Sequence, residues 1–101
     1  MEQKERNELI EMGWKIHAVV EENCLRHPAG SSGGSGADGV ERQRLLLADM
    51  AIHLLQTAIG PGDIELGRLR DNLHAILTIS DKFLPRAQLR QATANIYIDQ
   101  S

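Results

Sequence analysis

A chain of 101 residues with 42% hydrophobic and 25% charged residues has the make-up of one soluble domain with a modest core, which argues against wholesale disorder. The net charge of −3 argues against a general affinity for nucleic acid or anionic membranes, which needs clustered cations. The single Cys24 excludes an internal disulfide and a cysteine-based zinc finger.

Trp14, Phe83 and Tyr97 are the whole aromatic content. The core must therefore be filled by Leu, Ile, Val, Met and Ala, which suits helix packing better than a β-sandwich. No apolar run approaches the roughly 18 residues that a membrane span needs. The opening Met-Glu-Gln-Lys-Glu-Arg has no secretory character, so the expected location is the cytoplasm, with no membrane partner.

The first predicted helix covers 3–27. Leu9, Ile10, Met12, Ile16, Val19, Val20 and Cys24 recur at three- and four-residue steps and form one stripe. Glu2, Glu5 and Glu8 crowd its start and Arg26 and His27 its end, as the helix dipole favours; Pro28 and Gly30 then stop it.

Residues 30–36 read Gly-Ser-Ser-Gly-Gly-Ser-Gly. With nothing apolar to bury and much backbone entropy to lose, 29–38 reads as a flexible tether, natural or engineered. Its root-mean-square span is roughly 18 Å, while packed helices lie about 8–10 Å apart. The arm can therefore fold back on its own body or dock on a second copy.

The body is expected at 39–98. Asp38 and Glu41 have capping-box spacing for a helix over 39–59 with a broad apolar face, ended by Gly60-Pro61-Gly62. Asp63 is placed to cap a third helix over 63–82. There Leu66, Leu69, Leu73, Ile76 and Phe83 form a heptad seam, with Ser80 in the polar slot. So short a connection makes these two helices an antiparallel hairpin. Pro85 breaks the pattern, and a shorter fourth helix over 85–98 follows from Leu89, Ala92, Thr93 and Ile96. The fold class is all-α: one domain over 1–101, an antiparallel bundle of three to four helices.

No catalytic constellation assembles. Cys24 lies on an apolar stripe, where a free thiol behaves as a small hydrophobe. No phosphate loop or nucleophile elbow is present. The expectation is a non-catalytic protein–protein interaction module of adaptor, regulator or chaperone type, without a cofactor, whose partner is another protein or a second copy of itself. Its candidate binding residues are Leu9, Met12, Trp14, Ile16 and Val19, facing Leu47, Met50, Leu54, Leu69, Leu73 and Ile76. Trp14 sits off the stripe's centre, as a core-edge filler or a partner anchor.

Two alternatives stand beside this. In the first the chain is a nucleic-acid-binding regulator, with Lys82, Arg86 and Arg90 as a basic strip near the chain's end that contacts phosphates, although no aromatics interleave with it for base stacking. His17 with Glu21, Asp49 with His53, and Asp71 with His74 are carboxylate–imidazole pairs one helical turn apart. In the hairpin, Asp49, His53, Asp71 and His74 lie level enough to suggest a metal site of the helix-bundle kind. Ordinary surface ion pairing explains the same residues.

Overall fold

A computed structural model describes residues 1–26 and 37–97. Four α-helices account for most of them: α1 (Gln3–Arg26), α2 (Ala37–Ile59), α3 (Leu66–Ser80) and α4 (Leu89–Asn95), with no strand among the described residues. The fold is the expected all-helical bundle, and each helix packs on the next in chain order.

The α1–α2 pair is antiparallel, and its partners run in opposite directions along the chain. The Arg6 guanidinium donates to the Ile59 carbonyl at 2.5 Å, the Gln56 carboxamide donates to the Ile10 carbonyl at 2.9 Å, and the Arg42 guanidinium reaches the Cys24 carbonyl at 3.5 Å. Arg6 thus places a cation on the carbonyl end of α2, where the helix dipole favours it. Gly13 is the buried residue of α1, and a Cβ there would collide with the Gln56 carboxamide, so this glycine sets how closely the two helices approach.

The α2–α3 pair is antiparallel as well, as the short connection requires. Asn72, 8% exposed, donates to Thr57 Oγ1 at 2.6 Å and to the His53 carbonyl at 3.4 Å. At the far end of the hairpin, Phe83 meets Leu47 and Ala51. By spacing, Asn23 and Ser80 fall at or beside positions of the helix seams that would otherwise be apolar. Asn23 instead donates to the Val19 carbonyl of its own helix at 2.8 Å, and the polar group inside the interface is Asn72.

Three boundaries differ from expectation. The second helix starts at Ala37, so Asp38 lies inside it rather than capping it, and the last two residues of the tether expected over 29–38 are helical; 29–36 lies outside the described residues. The third helix starts at Leu66, not Asp63. Glu65 is its extended N-cap without a side-chain cap bond, and Gly62 takes the turn with φ 79°. The fourth helix is confined to Leu89–Asn95, because Pro85 follows the end of α3 and Gln88 adopts a left-handed conformation (φ 56°) that interrupts helical geometry. No helix is long and apolar enough to cross a membrane among the described residues.

The bundle is open. Among the described residues Ile52, 9% exposed, is the one buried hydrophobic residue and no side chain is fully buried, and α1 packs on α2 but not on α3. The Cα radius of gyration is 15.4 Å, against about 13 Å for a compact chain of this length. The molecule measures 44 × 34 × 17 Å, thin in its shortest direction.

Candidate functional site

Two features stand out from this open layer, and both involve α2. The first is its outward face. With α1 and α3 held by Arg42, Asp49, Gln56 and Thr57, the 3.6-residue repeat turns Arg44, Ala48, Ala51, Leu55 and Ala58 away from both neighbours. All five are exposed. They alternate at four- and three-residue steps, which is the spacing of a helix-packing seam. Arg44 is the one charge in the row. A row of small and aliphatic residues on the face that a helix leaves bare is a candidate packing surface.

The arm continues this face. Met12, Ile16 and Val19 are exposed, Val19 at 60%, on the flank of α1 opposite Trp14. Of the binding residues expected from sequence, Leu9 is half-buried, while these three point into solvent and not at Leu69, Leu73 or Ile76 of α3. Trp14 parts from the set. It lies on the other flank, edge-on to the rings of His17 and His53 at centroid distances of 5.4 and 5.9 Å.

The second feature is the polar cluster beneath Trp14. His17 Nε2 lies 2.9 Å from Asp49 Oδ1 and 3.2 Å from His53 Nε2, and His53 Nε2 lies 3.6 Å from Asp49 Oδ2. On its far side, His17 Nδ1 faces Glu21 Oε2 at 3.6 Å. The expected one-turn pairs His17–Glu21 and Asp49–His53 therefore exist, and α1 against α2 fuses them into one group. His53 and Trp14 also line a cleft of about 540 Å³, closed on its other side by Asn72, Asp71 and Arg68.

The four-residue metal set expected from sequence does not assemble. Asp71 accepts from the Tyr97 hydroxyl at 3.1 Å, and the His74 ring packs edge-on against Tyr97 at 5.7 Å, so both residues pair with Tyr97, just beyond α4, and neither joins Asp49 and His53. Burial and the bond to Asp71 together raise the Tyr97 pKa. The second imidazole came from α1 instead. His17 was visible in sequence only as a partner of Glu21, and nothing there said which face α1 turns to α2.

Of the basic strip, Lys82 and Arg90 line one cleft together with Asp81, which pairs with Arg90 at 3.5 Å, while Arg86 lies in the turn before α4, so no helix spaces it one turn from Arg90. The Cys24 thiol is pushed up by burial and by the nearby charge of Asp49, which favours the unreactive protonated form. Comparison of the chain with protein-family models, with curated proteins and with solved structures finds no match.

Proposed function

We propose that the chain is a non-catalytic helical interaction module that works as a homodimer, with the outward row of α2 as the centre of the interface. The observation that carries this reading is the exposed seam Ala48, Ala51, Leu55 and Ala58 on a helix whose other faces are already packed. The chain as a whole exposes 7127 Å², against about 5,700 Å² for a compact monomer of 11.2 kDa, in keeping with an open layer that leaves apolar side chains bare.

The row also favours one orientation. Parallel α2 helices would bring two Arg44 side chains together. An antiparallel, two-fold pairing crosses near Ala51 and carries each Arg44 toward the partner helix's carbonyl end, where a cation is favourable. The alanines at 48, 51 and 58 let the backbones approach closely, and Met12, Ile16, Val19 and Phe83 flank them. Burial of this face excludes water from the aliphatic side chains that the monomer leaves bare.

Sedimentation equilibrium of the wild-type chain and of Ala51→Glu tests this. Two-fold pairing sets the two glutamates against each other, so dissociation should become at least about a hundredfold easier, equivalent to roughly 2.7 kcal/mol. Unchanged association of Ala51→Glu, with helicity retained, contradicts the assignment of the interface.

A further inference from the structure

We infer that His17, Asp49 and His53 form a binding site for a divalent late first-row transition metal ion, with zinc as its representative. The site clamps the arm α1 to α2. It is independent of the dimer reading, because all three residues belong to one chain and lie on the opposite side of α2 from the outward row.

The geometry is that of a ligand set. Metal bonds of about 2.0–2.1 Å at tetrahedral angles separate neighbouring ligand atoms by about 3.3 Å. His17 Nε2 lies 2.9 Å from Asp49 Oδ1 and 3.2 Å from His53 Nε2, and one ligand atom from each of the three residues falls within 4.8 Å of the others. Two imidazole nitrogens and a carboxylate oxygen suit zinc, nickel, cobalt or copper. Magnesium and calcium prefer all-oxygen sets.

Proton bookkeeping points the same way. If His17 Nε2 carries its proton and donates to Asp49, it offers His53 Nε2 at most the longer branch of a shared, three-centre bond. If His53 Nε2 carries one as well, two N–H groups face each other at 3.2 Å. No arrangement of neutral tautomers gives both short contacts a full hydrogen bond of its own. A cation at their centre accepts all of them at once.

Metal ligation through His17 Nε2 requires the proton on Nδ1, and that nitrogen faces Glu21 Oε2 at 3.6 Å. That separation is longer than a hydrogen bond, and a small movement of the exposed Glu21 side chain would close it into the carboxylate–histidine–metal arrangement that fixes the tautomer of metal-bound imidazoles. Trp14 covers the cluster edge-on against both rings and limits access of water from that side. Three protein ligands leave at least one coordination position for water.

The consequence is structural. Only three residues from two helices meet here, yet they join segments 32 and 36 positions apart in sequence, on either side of residues 27–36. A bound ion holds the arm down without any further apolar contact, and its binding free energy adds to that of folding.

The test uses tag-free protein stripped by chelator dialysis, titrated with zinc by calorimetry and with cobalt by visible absorption. One equivalent should bind with a dissociation constant of about 10 μM or tighter. His17→Gln and His53→Gln should each weaken it at least about a hundredfold, and Glu21→Gln about tenfold, as loss of an outer-shell partner does. His74→Gln should leave it unchanged. Cobalt should quench the chain's single tryptophan in the wild type and not in His17→Gln, with helicity followed by circular dichroism. If His17→Gln loses its helicity, Asp49→Asn takes its place. Absence of stoichiometric binding to the wild type overturns the site, as does undiminished binding to the His17→Gln/His53→Gln double variant.

Discussion

Asn72→Ala is the sharpest probe of how α2 and α3 hold their register. Asn72 is 8% exposed and donates to Thr57 Oγ1 at 2.6 Å, with a longer contact to the His53 carbonyl at 3.4 Å. Loss of the short bond costs about 1 kcal/mol net, and the longer one adds less. The missing carboxamide leaves a hole of roughly 25–30 Å³, which costs about 0.7 kcal/mol more if it does not collapse. Alanine returns about 0.6 kcal/mol through its better helix propensity. The sum is a destabilisation of about 1–2 kcal/mol, a fall in melting temperature of about 4–12 °C for a domain of this size.

Thermal unfolding by circular dichroism, with all variants at one protein concentration, measures it, since association shifts the midpoint by mass action. The Thr57→Val single variant and the Asn72→Ala/Thr57→Val double variant complete a cycle whose coupling should be about 0.5–1.5 kcal/mol. The double variant should lose little beyond Asn72→Ala, because the two groups act as one pair. Coupling below about 0.3 kcal/mol, or an Asn72→Ala chain as stable as wild type, would refute the reasoning.

Two further predictions rest on single residues. Gln88→Gly removes a left-handed side chain at the start of α4 and should raise stability by about 1 kcal/mol in denaturant titration; a loss would mean that the Gln88 side chain contributes more than its backbone strain costs. Cys24 should react with a disulfide reagent at pH 8 more slowly than an unfolded-peptide cysteine, because a raised pKa lowers the thiolate fraction at a given pH; a rate equal to or above the peptide's would contradict its burial.

The helices were legible in sequence because each carries an unbroken three-four periodicity and a hard stop, Gly60-Pro61 for α2 and Pro85 after α3. Their ends were less so. Asp63 and Glu65 have the composition of a helix start, yet the chain stays extended through Glu65, and the Gln88 backbone conformation has no sequence signal. The one-turn pair Asp49–His53 could be read from spacing alone. Its third member depended on the rotation of α1 against α2, which the close approach at Gly13 and the anchors of Arg6 and Gln56 decide. Asp71 and His74 carry the same spacing, and Tyr97, just beyond α4, claims them through a tertiary contact that no periodicity announces. Met12, Ile16 and Val19, read as one α1 stripe with Leu9, Ile10, Val20 and Cys24, stay exposed on one flank, while Trp14, read as off the centre of that stripe, lies on the other.

The central claim is that the outward face of α2 is covered by a second copy. Light scattering behind a sizing column, run over a hundredfold or larger dilution, measures it directly. The account predicts a mass near twice the 11.2 kDa of the chain, falling toward a single chain only at the lowest concentrations. A mass of one chain at every concentration would contradict it.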